Sequence, residues 1–487
     1  MSQAQPHLVL LSEQQTEQIH ACSLRILGAP GVRVDSPTAR KLLAHPGGCQ
    51  VEDARVRIPP ALVTWALESA PAGVEIYDRL GRHAFTLGAG GDTTRFGIGV
   101  TNLYYQDPET DAPVPFTRGH MAMSTRLGHA LAEYDVVSTI GVLTDVPPGS
   151  ADLYATLEMA ANTTKPLVIL ASAPEAMPRA LDLLEFLYAQ IATLPCVLAY
   201  VNPITPLVID EGTSQRMAAA IERGLPLIYS NYGMAGATTP ITAAGTLALL
   251  NAELLAGLVL AQLMRPGAPV VLGSLPAGFD MRAMISYYGP QTMLLNLACA
   301  EMMAHYGLPH CGTSGGGNGW GPDLLASDLL WMNHLTSCLG CAGLAPFVGG
   351  NFDSLAFSPA TVVYGAEVIR QARTFAAGFP LDDEMVGCDE ISESGPEGDF
   401  LGTSLTLRQF RKADLGSTIW PRLGLEAWQE AGAPRAEGLL RKRTVELMAS
   451  SRPPADHDEL LTAGEEFIRQ TVHPLTDRGA LKDPLVR

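Results

Sequence analysis

The sequence predicts a (β/α)8 barrel, and two features of its pattern carry that prediction. From about residue 92, short runs rich in β-branched residues alternate with longer helix-period segments at a spacing of roughly 30 to 45 residues, the rhythm of βα units. Eight runs can be counted: 93–100, 134–141, 166–172, 196–202, 226–231, 269–274, 308–314 and 345–351. Each leads into small or polar residues: Thr101 and Asn102, Thr144 and Asp145, Ser172, Asn202, Asn231, Ser274, Thr313 and Ser314, and Asn351. In a barrel of parallel strands these ends open on one face, where the active sites of such enzymes lie. Taken singly, each also reads as a strand ending in a turn; repetition across eight strands is what points to a site.

The helix-period segments are 150–163, 174–190, 210–223, 242–264, 290–306, 323–343 and 360–377. They place the barrel over residues 92–380. Ahead of it, residues 1–91 read as a helix (13–28), a second helix (59–69) and a hairpin-like pair, "VEIYDR" and "HAFTLG", forming an N-terminal cap. Behind it, 381–487 forms an extension. Its first twenty residues, 381–400, carry eight acidic residues and no basic one, a break in composition. Helical patterns follow at 424–450 and 456–472, separated by the linker "SSRPPADHD".

With 487 residues, 47% hydrophobic and 17% charged, the chain has the composition of a globular protein with a sizeable core. A net charge of −18 argues against an electrostatic grip on nucleic acid or anionic membrane and permits a cationic ligand. The start "MSQAQPHLVLLSEQQ" lacks the basic and apolar regions of a signal peptide, and no long uninterrupted apolar run appears, so a cytoplasmic location is expected. Eight scattered cysteines suit reduced thiols better than a disulfide scaffold.

The stretch "LPHCGTSGGGNGWGPD" (308–323) concentrates glycine around a single Trp. It lacks the Gly-Lys-Ser/Thr ending of a phosphate loop and the spacing of a dinucleotide fingerprint. His310 and Cys311, with His334, Cys338 and Cys341 further on, are zinc-ligand types. The second group falls in an apolar helical pattern where Cys packs as a small hydrophobe, and no second C-x2-C completes a set, so no bound metal is expected.

The order of "DPETDAPVPFTRGHM", the strand and helix series, "LPHCGTSGGGNGWGPD", "GPEGDFLG", "WPRLGLEAWQEAG" and "SSRPP" resembles the trimethylamine methyltransferase family. It is more similar to the branch without pyrrolysine, whose characterised members demethylate quaternary amines such as glycine betaine. The resemblance covers nearly the whole chain. It implies a barrel that binds a methylated amine at its mouth and presents one N-methyl group to the Co(I) of a separate corrinoid protein, with no cofactor held permanently by the barrel itself. Trp320 or a neighbour stands in the loop where the founding enzymes' pyrrolysine would be sought. A quaternary amine is already a charged leaving group and does not require the activation a tertiary amine would. The chain departs from the family pattern around Asp399, Thr403 and Leu405, which bears on substrate choice.

A trimethylammonium group has no hydrogen to donate, so aromatic faces and carboxylates must recognise it. The residues expected to hold it are Trp320, Phe96, Tyr104, Tyr232 and Phe352, with Tyr105, Phe279, Tyr287, Tyr288 and Phe347 also near the predicted mouth. Any one aromatic in a barrel is more often core than cage; Trp320, set among glycines, fits that reading least. Asn202 and Asn231 add polar strand ends. For a betaine carboxylate the candidate donors are Arg282, steadied by Asp280, and His310, each of which also reads as a surface or packing residue. The glycines are expected to clear space for a flat macrocycle and its carrier. The implied partners are a small methylated amine, a corrinoid protein and a second copy of the chain in a homo-oligomer, with neither nucleic acid nor membrane. Two other classes stay open: a metal-dependent barrel lyase or hydrolase using His310, Cys311 and Asp145, and a non-catalytic quaternary-amine binding protein.

Overall fold

The computed structural model describes residues 3–46, 48–88, 93–188, 191, 193–312, 316–413 and 416–476. Thr313, Ser314 and the expected 91/92 boundary lie outside the described residues. Eight parallel strands close on themselves: β1 (Arg95–Gly99), β2 (Val136–Ser138), β3 (Leu167–Ile169), β4 (Val197–Val201), β5 (Leu227–Ala235), β6 (Val270–Asp280), β7 (His310–Cys311) and β8 (Leu344–Asn351). Each pairs with the next, and β8 returns to β1 through Leu344–Arg95 and Gly349–Gly99. All eight strand-like runs therefore form the barrel wall.

The outer ring is α1 (Arg118–Ala130), α2 (Ala151–Asn162), α3 (Ala176–Leu187), α4 (Glu211–Glu222), α5 (Ala243–Met264), α6 (Pro290–His305), α7 (Leu324–Leu339) and α8 (Pro359–Ala377). Helix α1 is the one the periodicity did not mark; Thr117 caps it, exchanging hydrogen bonds with His120. Helix α5 is apolar on all sides and, among the described residues, is the one helix long and apolar enough to cross a membrane by length and composition. It is buried instead, with β5 and β6 on one side and the N-terminal helix Glu13–Gly28 on the other.

Side chains alternate across each strand. Val136, Val168, Leu198, Ile228, Val271 and Leu344 fill the barrel interior, with Tyr200 and Phe347 in the same cluster. The hairpin Gly73–Tyr77/His83–Gly88 adds Val74, Ile76, Phe85 and Leu87 to it. Its backbone bonds reach Pro195 and Thr164, just ahead of β4 and β3, so the hairpin plugs the floor of the barrel. That leaves the C-terminal face as the place for a site.

The rest of the N-terminal region wraps the side of the barrel. Strand Val32–Val34 pairs with Val208–Ile209 from the loop after β4. Helices Ala436–Ser450 and His457–Thr476 of the extension pack against α8 and α1, and against α2 and α3. The 424–450 pattern breaks into Leu425–Glu430 and Ala436–Ser450, where Gly432 and Ala433 take left-handed backbone ahead of Pro434. Two ion pairs fasten the extension, Arg79 to Asp456, both nitrogens at 2.5 Å, and Arg118 to Glu465 at 2.7 Å, while Arg118 also reaches Glu158 of α2 at 2.6 Å.

Candidate active site

Strands β5 and β6 run on beyond the barrel wall, paired as far as Ala235 and Gly278, and β6 turns back through a hairpin at Ile285–Tyr287. This ribbon stands beside the turn that follows β8. In that turn Phe352, Asp353 and Ser354 have φ of 50°, 54° and 63°, three successive left-handed residues without a glycine among them. Such a run costs on the order of 1–3 kcal/mol per residue and persists where the surroundings over-determine it. Here the surroundings are hydroxyl groups: Asp353 accepts the Tyr232 phenol at 3.0 Å, the Tyr288 phenol at 2.8 Å and the Ser286 hydroxyl. Burial raises both phenol pKa values well above their ordinary value, so Tyr232 and Tyr288 stay protonated and donate. The result is a carboxylate at the rim of the mouth with two phenol rings beside it, above Tyr200 and Phe347, whose rings meet edge-to-face at 5.1 Å.

The other expected site residues divide by which way their strand turns them. Asn202, at the end of β4, donates to the Ser230 carbonyl at 2.8 Å. Tyr104 and Phe352 lie half-exposed on the rim, where Tyr104 pairs with the backbone of Leu355. Trp320 stacks on Phe352 at 6.2 Å, while its indole N–H points away to Asp111, 3.1 Å from the carboxylate. Phe96 is a correction: it alternates to the outer side of β1 and is fully buried against His334 and beneath the Arg373 guanidinium. Asn231 is a second, facing α5, where it donates to Glu253 and accepts from Ser274. His310 is a third. It is buried on β7, bonded to the Ala342 carbonyl at 2.8 Å, and burial pushes its pKa down to about 4, so it is a neutral packing residue near the base of its strand. Arg282 is exposed at the tip of the ribbon, where the Asp280 carboxylate takes the backbone N–H groups of Arg282 and Ala283.

The glycine-rich stretch also does something other than clear space for a macrocycle. A Cβ at Gly317 would collide with Ala326 and lie 2.7 Å from Asn351; one at Gly319 would collide with Asp323; one at Gly321 would come within 2.7 Å of Gln106. The glycines let the loop lie against the chain's own β8, α7 and the hairpin near residue 106. The zinc-ligand types are dispersed: Cys311 faces the barrel interior, His334 packs on Phe96, and burial lifts the Cys338 thiol to about 12. Asp353 and Ser286 were invisible to sequence reasoning, although Asp353 stands two residues past the polar end of the eighth strand.

A closed (β/α)8 barrel, plugged below and lined above by phenols and a carboxylate, defines a barrel enzyme with its site at the C-terminal face. The model of the Trimethylamine methyltransferase (MTTB) family matches residues 1–473, and the chain belongs to that family. Among its relatives, a glycine betaine methyltransferase of Desulfitobacterium hafniense is 27% identical over 96% of this chain and 98% of its own length. A trimethylamine methyltransferase MttB of the same species is 26% identical over 94% and 93%. The monomethylamine methyltransferase structure from Methanosarcina barkeri superposes with a TM-score of 0.53 at 10% identity, covering 95% of this chain and 88% of that one, a likeness of fold.

Proposed function

We propose that this protein moves one methyl group from a small quaternary ammonium compound, such as a betaine, to the Co(I) of a separate corrinoid protein. The observation that carries the reading is the Asp353 carboxylate held by Tyr232, Tyr288 and Ser286 at the barrel mouth. A quaternary nitrogen offers no N–H, so phenol faces and a nearby anion are the groups suited to it. Family membership supports methyl transfer from a methylated amine, and the relatives' names include a betaine and a tertiary amine as substrates.

The step is a displacement. The Co(I) electron pair forms the bond to the methyl carbon, the N–CH3 bond breaks with its pair left on nitrogen, and a neutral tertiary amine departs. No acid is needed, because the leaving group sheds its charge. The barrel's own contribution is to seat the cation on Tyr232 and Tyr288 with one N-methyl directed outward, where correct placement replaces much of the entropic cost of the encounter. A spectroscopic assay of Co(I) turning into methyl-Co(III), run with betaines and carnitine against trimethylamine, tests this. Methylation from none of the quaternary compounds overturns it.

The same reading places the enzyme in the cytoplasm and as a homo-oligomer. Helices Asp383–Val386, Cys388–Ser394, Ser404–Ala413 and Leu425–Glu430 contain no buried residue, while Ile391, Phe400, Leu401, Leu407, Phe410 and Leu425 are exposed. Apolar faces of this extent call for a permanent cover. Segment 381–400 is wholly acidic among its charges, and Ser404–Ala413 carries Arg408, Arg411 and Lys412 with no acid; Arg408 pairs with Glu384 of the same chain, and the arm offers charge of both signs to a second copy.

A further inference from the structure

Helix α7 turns an apolar stripe outward. The outer face of a barrel helix is ordinarily polar, yet Leu324, Leu325, Trp331 and Met332 are all exposed, Leu324 at 91%, and they share one face with the exposed Asp328. Leu294, on the neighbouring helix α6, is exposed as well. Trp and Met gathered on such a patch suit a covered interface better than a wetted surface. The helix has no Lys or Arg and its His334 is buried, so Asp328 leaves the face negatively charged.

The exposed arm is rooted next to this stripe. It starts where Phe379–Pro380 pairs with Gln3–Ala4, just past the end of α8. It returns to α8 at Gly416, whose carbonyl accepts from Arg370 at 2.9 Å, and at Trp420, edge-on to Tyr364 at 6.0 Å. Trp420 and Tyr364 border one cavity with Ser327 and Leu324 of α7. Within one chain, however, neither surface covers the other: the stripe is exposed, and Ser404–Ala413 has no buried residue, with Leu407 and Phe410 at 61% and 53%. Those two side chains lie one turn apart, with Arg411 and Lys412 beside them.

We propose that Ser404–Ala413 of one copy docks on α7 of a second, and that the second copy's arm returns the contact across a two-fold axis. Apolar edge meets apolar stripe, and Arg411 and Lys412 meet the face that Asp328 makes negative. One isologous contact then covers two exposed surfaces on each chain. The inference rests on the homo-oligomer reading and adds to it the surface that receives the arm. It also brings the second copy to the active-site mouth, because Leu324 stands four residues beyond Trp320, which stacks on Phe352 at the rim.

Cross-linking of the full chain tests the pairing. In a Cys388→Ser background, which removes the exposed thiol, Leu407→Cys and Leu325→Cys are made singly and together and treated with a short bismaleimide. The double variant should run as a covalent dimer on a denaturing gel, while each single variant stays at the single-chain mass. Leu325→Glu with Met332→Glu, at exposed positions that leave the core intact, should bring the native mass down to the 51.7 kDa of one chain with unchanged circular dichroism. A link formed within one chain, a dimer formed by Leu407→Cys alone, or a native mass indifferent to Leu325→Glu with Met332→Glu would overturn the proposal. A wild-type oligomer in which the double variant forms no link would overturn it and leave the homo-oligomer reading intact, whereas a wild-type protein of single-chain mass would remove both.

Discussion

Tyr288 and Asp353 meet across the barrel mouth, the phenol from the hairpin beyond the sixth strand donating at 2.8 Å to a carboxylate in the turn after the eighth. Elements almost a quarter of the barrel apart are thereby locked together at the rim. The substrate cation loses its charge as the methyl leaves, so a fixed carboxylate favours the bound ground state more than the transition state. Asp353→Asn should therefore raise KM for a quaternary amine by about tenfold, some 1.4 kcal/mol, without lowering kcat. Steady-state kinetics with the corrinoid protein in excess check this, and a fall in kcat at unchanged KM would speak against a counter-ion role.

Glu253 carries a pH dependence that can be read from its surroundings. The residue is 3% exposed in α5 and accepts from the Leu207 N–H, the Thr205 hydroxyl and the Asn231 amide. Burial lifts its pKa to about 7, above the 4.5 of an exposed glutamate. The folded state thus holds a proton that the unfolded state has released between these values. Its stabilising contribution is fully present below about pH 4.5 and is lost as pH rises through about 7. Urea titrations should show wild type losing up to about 3 kcal/mol relative to Glu253→Gln between pH 5 and pH 8; parallel profiles would refute the assignment.

Gly321 serves geometry rather than flexibility. Its φ is +65°, and an added Cβ would approach the Gln106 amide at 2.7 Å. Gly321→Ala should destabilise the fold by about 1–3 kcal/mol in chemical denaturation. Gly438→Ala, on a helix where a Cβ meets nothing, should cost nothing by the same measurement.

The exposed arm gives a mass prediction. Light scattering should return a multiple of the 51.7 kDa chain. Leu407→Glu with Phe410→Glu, which sets charge on the exposed face of Ser404–Ala413, should shift the protein toward the single-chain mass without loss of helical content by circular dichroism. An unaltered mass would place the oligomer contact elsewhere.

The sequence by itself determined the barrel. Each of its eight strands is a local apolar run ending in turn-forming residues, and each intervening helix except α1 stands out as an apolar or amphipathic segment of helical length, so chain-local pattern sufficed for the count and the face. Family membership was likewise legible, because the order of short motifs survives along the whole chain. What tertiary structure alone decided was which side of a strand each residue occupies and what meets it there. Phe96 and Asn231 sit on the outer side of their strands, one residue out of phase with the interior, a parity set by where each strand begins. His310 lies too near the base of β7 to reach the mouth. The Asp353 cluster joins residues 232, 286, 288 and 353; contacts at such separations leave no periodic trace in sequence, because only closure of the barrel brings their loops to one rim.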